Sequence, residues 1–171
     1  MKRAELYDRY PAWIVGVCTA VSIAIYVLGA IILYGFSAWA SLAYLAGCLW
    51  LELRVLKRSC AHCTYYGQRC GTGKGKLCAL LFKQGDPQAF AEKEVTWIDV
   101  LPDFLVSLLP LLGGIVLSIL GFSWLRIVWM ALLAALAFGV SGVLRGSLLC
   151  AHCRQGELGC PAAKLFEKVG G

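Results

Sequence analysis

The sequence predicts an all-α, polytopic integral membrane protein: four transmembrane helices set as two hairpins in a parallel internal repeat, with cytoplasmic metal-binding knuckles and short interfacial helices. Three observations carry that expectation. The 171 residues are 60% hydrophobic and only 15% charged, with a mean hydropathy of +0.73. Soluble chains carry roughly a quarter charged residues, so this composition excludes a water-soluble enzyme, a disordered binder and a free nucleic-acid-binding domain. Four long stretches lack charge in their interiors, and the two halves of the chain repeat one another.

The elements follow in order. Met1–Tyr10 mixes Lys2, Arg3 and Arg9 with Glu5 and Asp8, and no small-residue cleavage site follows, so it reads as a retained amino terminus rather than a signal peptide. Ala12–Leu33 is uncharged. It has about the ~20 residues that a helix rising 1.5 Å per residue needs to cross a ~30 Å hydrocarbon core. Ser37–Leu56 gives a second span with Glu52 and Arg54 near its end, Val100–Leu120 a third beginning beside Asp99 and Asp103, and Ile127–Leu144 a fourth. Most tryptophans fall near span ends, as an aromatic belt requires.

Spans one and two are joined by Gly35-Phe36-Ser37, and spans three and four by Gly121-Phe122-Ser123, links too short for anything but tight hairpins. The amino terminus, the segment 57–97 and the carboxyl tail therefore share one side. That side takes 15 of the 16 Lys and Arg, Arg126 being the exception. The positive-inside rule makes it cytoplasmic, with both termini inside the cell membrane. The net charge of +6 suits an anionic inner leaflet and needs no nucleic acid to explain it.

The repeat divides the chain into residues 1–98 and 99–171, together one membrane domain. Asp8 and Pro11 answer Asp99 and Pro102, the two Gly-Phe-Ser turns answer each other, and Cys60-Ala61-His62-Cys63 with Cys70 answers Cys150-Ala151-His152-Cys153 with Cys160. Each motif is Cys-Ala-His-Cys, six residues, then Cys. Removal of the inserted Gly71–Lys76 tract sets Leu77–Phe82 opposite Pro161–Phe166, so each half ends in a short helix, and Pro161 suits a first helical turn. Halves of equal topology are related by an axis along the membrane normal, where both cysteine clusters would meet.

The clusters point to metal. Thiolates favour soft or borderline ions, and a Cys-x-x-Cys pair lets two sulfurs reach one ion from a single turn of backbone. Cys60, His62, Cys63 and Cys70, with Cys150, His152, Cys153 and Cys160, divide into two Cys₃His sets, most simply for two zinc ions. Swapped ligands between the halves, or one Cys₄ site from Cys60, Cys63, Cys150 and Cys153, fit equally. On a reducing cytoplasmic side these cysteines read as metal ligands rather than disulfides, and an iron–sulfur cluster is the alternative cofactor. Cys18, Cys48 and Cys78 fall outside the motifs and read as buried apolar residues.

The insert Gly71, Gly73, Lys74, Gly75 and Lys76 combines permissive backbone with two ammonium groups, a candidate site for an anion or lipid headgroup, although it lacks the Walker spacing. Its plainer reading is a solvated basic loop. Glu52, Asp99, Asp103 and Arg145 lie near the depth of the clusters and are candidate partners for the ligating residues. Gly113, Gly114, Gly139 and Gly142 supply small residues for helix contact or homo-oligomer formation. Three functions follow: a zinc protein organising a basic face for lipid headgroups, an anion or a cytoplasmic protein partner; an oxidoreductase passing electrons to quinone through an iron–sulfur cluster or dithiols; and a soft-metal carrier. The last is weakened by a mid-membrane region offering little beyond Cys18 and Cys48.

Overall fold

A computed structural model describes residues 6–88 and 97–156. Every regular element among them is helical. Helix α1 is Ala12–Tyr34, α2 is Ala38–Arg58, α3 is Lys74–Leu81, α4 is Trp97–Leu120 and α5 is Trp124–Ala134. The last continues through a π-helical turn at Ala135–Val140, an α-turn at Ser141–Val143 and a second π-helical turn at Leu144–Leu149. Three helical stretches are long and apolar enough to cross a membrane: Ala12–Tyr34, Ala38–His62 and Trp124–His152. In the region of the third expected span, Phe104–Leu120 is a shorter apolar helix within α4. The side chains of Trp97–Val100, Pro102 and Asp103 lie outside the described set.

Local chemistry sets the boundaries. Pro11 has no N–H to leave unsatisfied and accepts from Val15 (3.4 Å), so α1 begins just behind it. The first Gly-Phe-Ser turn closes by three-residue bonds, Gly35 N–H to Ile32 and Phe36 N–H to Leu33, and Ser37 Oγ then accepts from Ala40 N–H (3.1 Å) to cap α2. At the second turn Ser123 is extended (φ −147°) and makes no side-chain cap. There Arg126, the outlying cation of the sequence, donates from Nη1 to the carbonyl of Gly121 (2.8 Å) and to that of Leu117 (2.5 Å), which also accepts the Gly121 N–H (3.0 Å), so its charge closes the end of α4.

The chain forms two compact units, each drawing on both sequence repeats. One comprises Ala20–Glu52 and Thr96–Gly142, and the other takes its described residues from Met1–Thr19, Leu53–Val95 and Val143–Gly171. In the first, Ile25, Leu28, Ile32 and Leu133 make one buried cluster, and Ala30, Leu33, Tyr44 and Cys48 another. Gly113 and Gly114 allow the close approach: a Cβ would fall 2.9 Å from Leu33 on the one and 2.6 Å from Met130 on the other. Large apolar side chains cover the outside, with Trp39 81% and Ile119 80% exposed, a surface that water would not tolerate and lipid would.

A thiol cluster bound by tyrosines

The second unit contains the cysteine motifs. Each Cys-Ala-His is a 3₁₀ turn in which the fourth residue donates its N–H to the first, Cys63 to Cys60 (3.3 Å) and Cys153 to Cys150 (3.4 Å). The backbone then extends at Cys63 (φ −91°) and Cys153 (φ −90°) and turns again, Tyr66 N–H bonding Cys63 and Gly156 N–H bonding Cys153. The two motifs thus share two successive turns ninety residues apart.

The insert is more ordered than a solvated loop. Gly73 takes the left-handed conformation (φ 74°) that glycine adopts without strain, and α3 starts at Lys74, inside the tract. Gly75 nests on backbone, where a Cβ would fall 2.4 Å from the Tyr65 carbonyl and 2.5 Å from that of Gln68, while Gly71 is closed over by Leu149. Gly75 N–H already donates to Cys70 Sγ (3.2 Å), so one amide of the α3 start is committed to sulfur rather than to an outside anion. Lys74 has the Cys60 thiol as an electrostatic neighbour. Close packing gives Gly71 and Gly75 a structural reason of their own.

The sulfurs gather. Cys63, Cys70, Cys153 and Cys18 pack against a buried core of Tyr10, Ile14 and Tyr65. Cys63 feels both Cys70 of its own motif and Cys153 of the other, and Cys60 feels Cys63 and Cys70. Burial pushes the Cys63 thiol up, and Cys153 and Cys70 add to the rise. Cys78, also raised chiefly by burial, donates its S–H to the Leu56 carbonyl (3.3 Å) in the last turn of α2. None of the eight described cysteines is in a disulfide.

Each histidine ring has a neighbour other than cysteine. The His62 ring lies on Gly85, where a Cβ would come 2.2 Å from Nδ1, and that buried Nδ1 has no hydrogen-bond partner. The His152 ring stacks on Tyr7 with centroids 4.7 Å apart. Among the described residues no three His, Cys, Asp or Glu side chains converge on one metal position. Cys160 lies outside the described residues, as do the side chains of Asp99 and Asp103. Glu52 belongs to the other unit and accepts from Tyr26 Oη. Arg145 has Cys18 as an electrostatic neighbour.

Tyrosines hold the cluster, and nothing in the cysteine spacing announced them. Tyr10 Oη donates to the Leu149 carbonyl (2.6 Å), and Tyr65 Oη donates to the Tyr7 carbonyl (2.5 Å) while accepting Arg154 N–H (3.2 Å). Tyr7 N–H bonds the His152 carbonyl (3.1 Å), and buried Gln155 accepts from Thr64 N–H (2.9 Å). Burial pushes the pKa of both phenols, Tyr10 and Tyr65, up from the ordinary tyrosine value, keeping them neutral donors. Asp8 and Arg154 form an ion pair at 2.7 Å with both side chains largely exposed, worth little beside these buried bonds. No family model, no curated protein and no solved structure matches the chain.

Proposed function

We propose that the chain is a four-span cell-membrane protein, both termini cytoplasmic, whose two repeats jointly build one structural zinc centre beneath a basic face. The ligands are Cys60, Cys63 and Cys70 of the first motif and Cys153 of the second. One observation carries this choice: the Cys63 thiol is flanked by Cys70 and by Cys153, across the repeat. Cys60, Cys63 and Cys70 influence one another electrostatically without yet converging on one position, and with Cys153 they would supply the four thiolates of the tetrahedron that zinc favours. The placement of His62 against Gly85 supports sulfur over imidazole. Binding turns the cysteine side chains between staggered rotamers on the existing backbone, with loss of their protons.

A zinc ion closed by four protein thiolates has no open position, so it contributes folding free energy and not catalysis. It ties the two halves together, leaving the Lys- and Arg-rich side to meet anionic headgroups or an acidic protein partner. The test is elemental analysis, with an optical spectrum, of protein purified in detergent without added metal. About one zinc per chain and no visible absorbance is the expected result. Iron with visible absorbance would replace the zinc reading by electron transfer, and a metal-free chain with six reactive motif thiols would end it.

A further inference from the structure

Helix α3 is apolar on both of its sides, and the protein covers only one. Toward the protein it turns Gly75 and Cys78. Gly75 nests on the Tyr65 and Gln68 carbonyls, and the fully buried Cys78 packs with Leu56 and Ala61 and donates its S–H to the Leu56 carbonyl (3.3 Å). Phe82 closes the helix against the same cluster, its N–H on the Cys78 carbonyl (2.8 Å) and its own carbonyl accepting from Tyr66 Oη (2.7 Å). Away from the protein, Leu77, Leu80 and Leu81 share one face by their three- and four-residue spacing. Leu80 is 83% exposed, more than any other large apolar side chain among the described residues, and Leu77 and Leu81 are about half exposed.

These leucines stand in a basic setting at the end of a spanning helix. From Lys57 to Gly85 the sequence has six Lys and Arg and no Asp or Glu. Lys76 directly precedes the leucine face and Lys83 follows it, both exposed. Leu56, against which α3 packs, lies in the last turn of α2, and α2 belongs to the Ala38–His62 stretch that is long and apolar enough to cross a membrane.

We infer that α3 is an interfacial foot, with Leu77, Leu80 and Leu81 sunk into the surface of an anionic lipid leaflet and Lys76 and Lys83 set against lipid phosphates. A helix apolar all round is stable where both sides are covered. The end of α2 covers one side, and the leaflet beside that end covers the other. The lysines can lay their methylene stems along the apolar layer while their ammonium groups stay at the phosphates, and no carboxylate in the 57–85 stretch repels a headgroup. An acidic protein would match the lysines alone; the leucines between them match lipid. The inference rests on the membrane-spanning reading and narrows the basic face to one partner.

The experiment places the full chain in phosphatidylcholine–phosphatidylglycerol vesicles containing a photoactivatable lipid, with a diazirine high in the acyl chain, on either a phosphatidylglycerol or a phosphatidylcholine headgroup. After illumination, peptide mapping reads the adducts. Labels are expected on α1, where Ile23 and Val27 are exposed, and on the Leu77–Leu81 segment. The α3 label is expected to be stronger from the phosphatidylglycerol lipid by about fivefold, the scale of one lysine beside an anionic surface. Leu80→Glu is expected to remove the α3 label and keep that of α1, and Lys76→Gln with Lys83→Gln to equalise the two lipids. Label on α1 with none on Leu77–Leu81 overturns the inference alone, and is the result that a second copy seated on the leucines would give. Equal α3 label from both lipids overturns the anionic partner. The wild-type chain decides both, even if a variant fails to fold. A chain labelled at neither helix overturns the membrane-spanning reading and the inference with it.

Discussion

The Tyr44 phenol donates a 2.8 Å hydrogen bond to the carbonyl of Val106, the one carbonyl that Pro110 leaves without its helical donor. Four residues on from Val106 an ordinary residue would supply an N–H, but proline has none, and Pro110 is fully buried. Gly29 completes the arrangement, because a Cβ there would fall 2.4 Å from the Tyr44 oxygen. Tyr44→Phe should therefore destabilise the chain by about 1 kcal/mol, the scale of a hydrogen bond between helices in a membrane. In a Pro110→Ala background the carbonyl regains its own donor and the loss should shrink. A double-mutant cycle by unfolding in mixed detergent checks this, and equal losses in both backgrounds would refute the coupling.

Close backbone approach predicts a contrast between two glycines. Gly75→Ala drives a methyl group onto the Tyr65 and Gln68 carbonyls, which cannot step aside as a flexible side chain could, and should cost about 1–3 kcal/mol. Gly16 opens onto nothing within 4 Å, so Gly16→Ala should leave the melting temperature unchanged or raised. Thermal unfolding of the two variants side by side distinguishes them.

A shared zinc centre breaks the symmetry that the repeat implies. By sequence Cys60 and Cys150 are equivalent. Under the proposed ligand set Cys60→Ser should lose the metal and most of its stabilisation, whereas Cys150→Ser should keep about one zinc per chain. Metal content and melting temperature of both variants provide the check. Equal loss from both would favour two matching sites.

Burial raises the thiols of Cys63 and Cys78 above their unfolded value. A raised value means that the folded state holds the proton to higher pH than the unfolded chain does. The corresponding stability is complete below about pH 8.5 and declines as pH climbs toward the folded values. Metal-free protein should unfold more readily at each step above that point, and iodoacetamide should modify Cys63 more slowly than an unfolded-state cysteine at pH 8. A stability flat across this range would contradict the burial of both thiols.

The apolar helices were legible from run length alone, since crossing a hydrocarbon layer is a one-dimensional demand on sequence. The twin Cys-Ala-His-Cys turns were also legible, because identical residues at identical spacing fold the same local backbone. The directions of the two imidazoles were not. They depend on Gly85 and Tyr7, residues remote from the rings they receive and carrying no spacing signal. The helical start inside the Gly71–Lys76 tract was hidden for a related reason: glycine disfavours helix by about 1 kcal/mol, yet Gly75 sits in α3, where two carbonyls leave room for nothing larger. Tyr10 and Tyr65 escaped notice because a phenol that ties distant segments together leaves no periodic trace.

The two halves also differ in how they wind toward their cysteines. From the serine of each Gly-Phe-Ser turn to the first cysteine, the second half runs four residues longer, Ser123 to Cys150 against Ser37 to Cys60. The π-helical turns at Ala135–Val140 and Leu144–Leu149 fall within that longer stretch. Each acts as a one-residue bulge, so part of the surplus is coiled into the helix instead of being extruded as a loop. The second helix thus behaves as a slack section: loss of one residue, at Gly139 or Gly146, would relax a bulge to ordinary α-helix and leave the following motif near its bearing, whereas the same loss from an uninterrupted α-helix would swing it by about 100°.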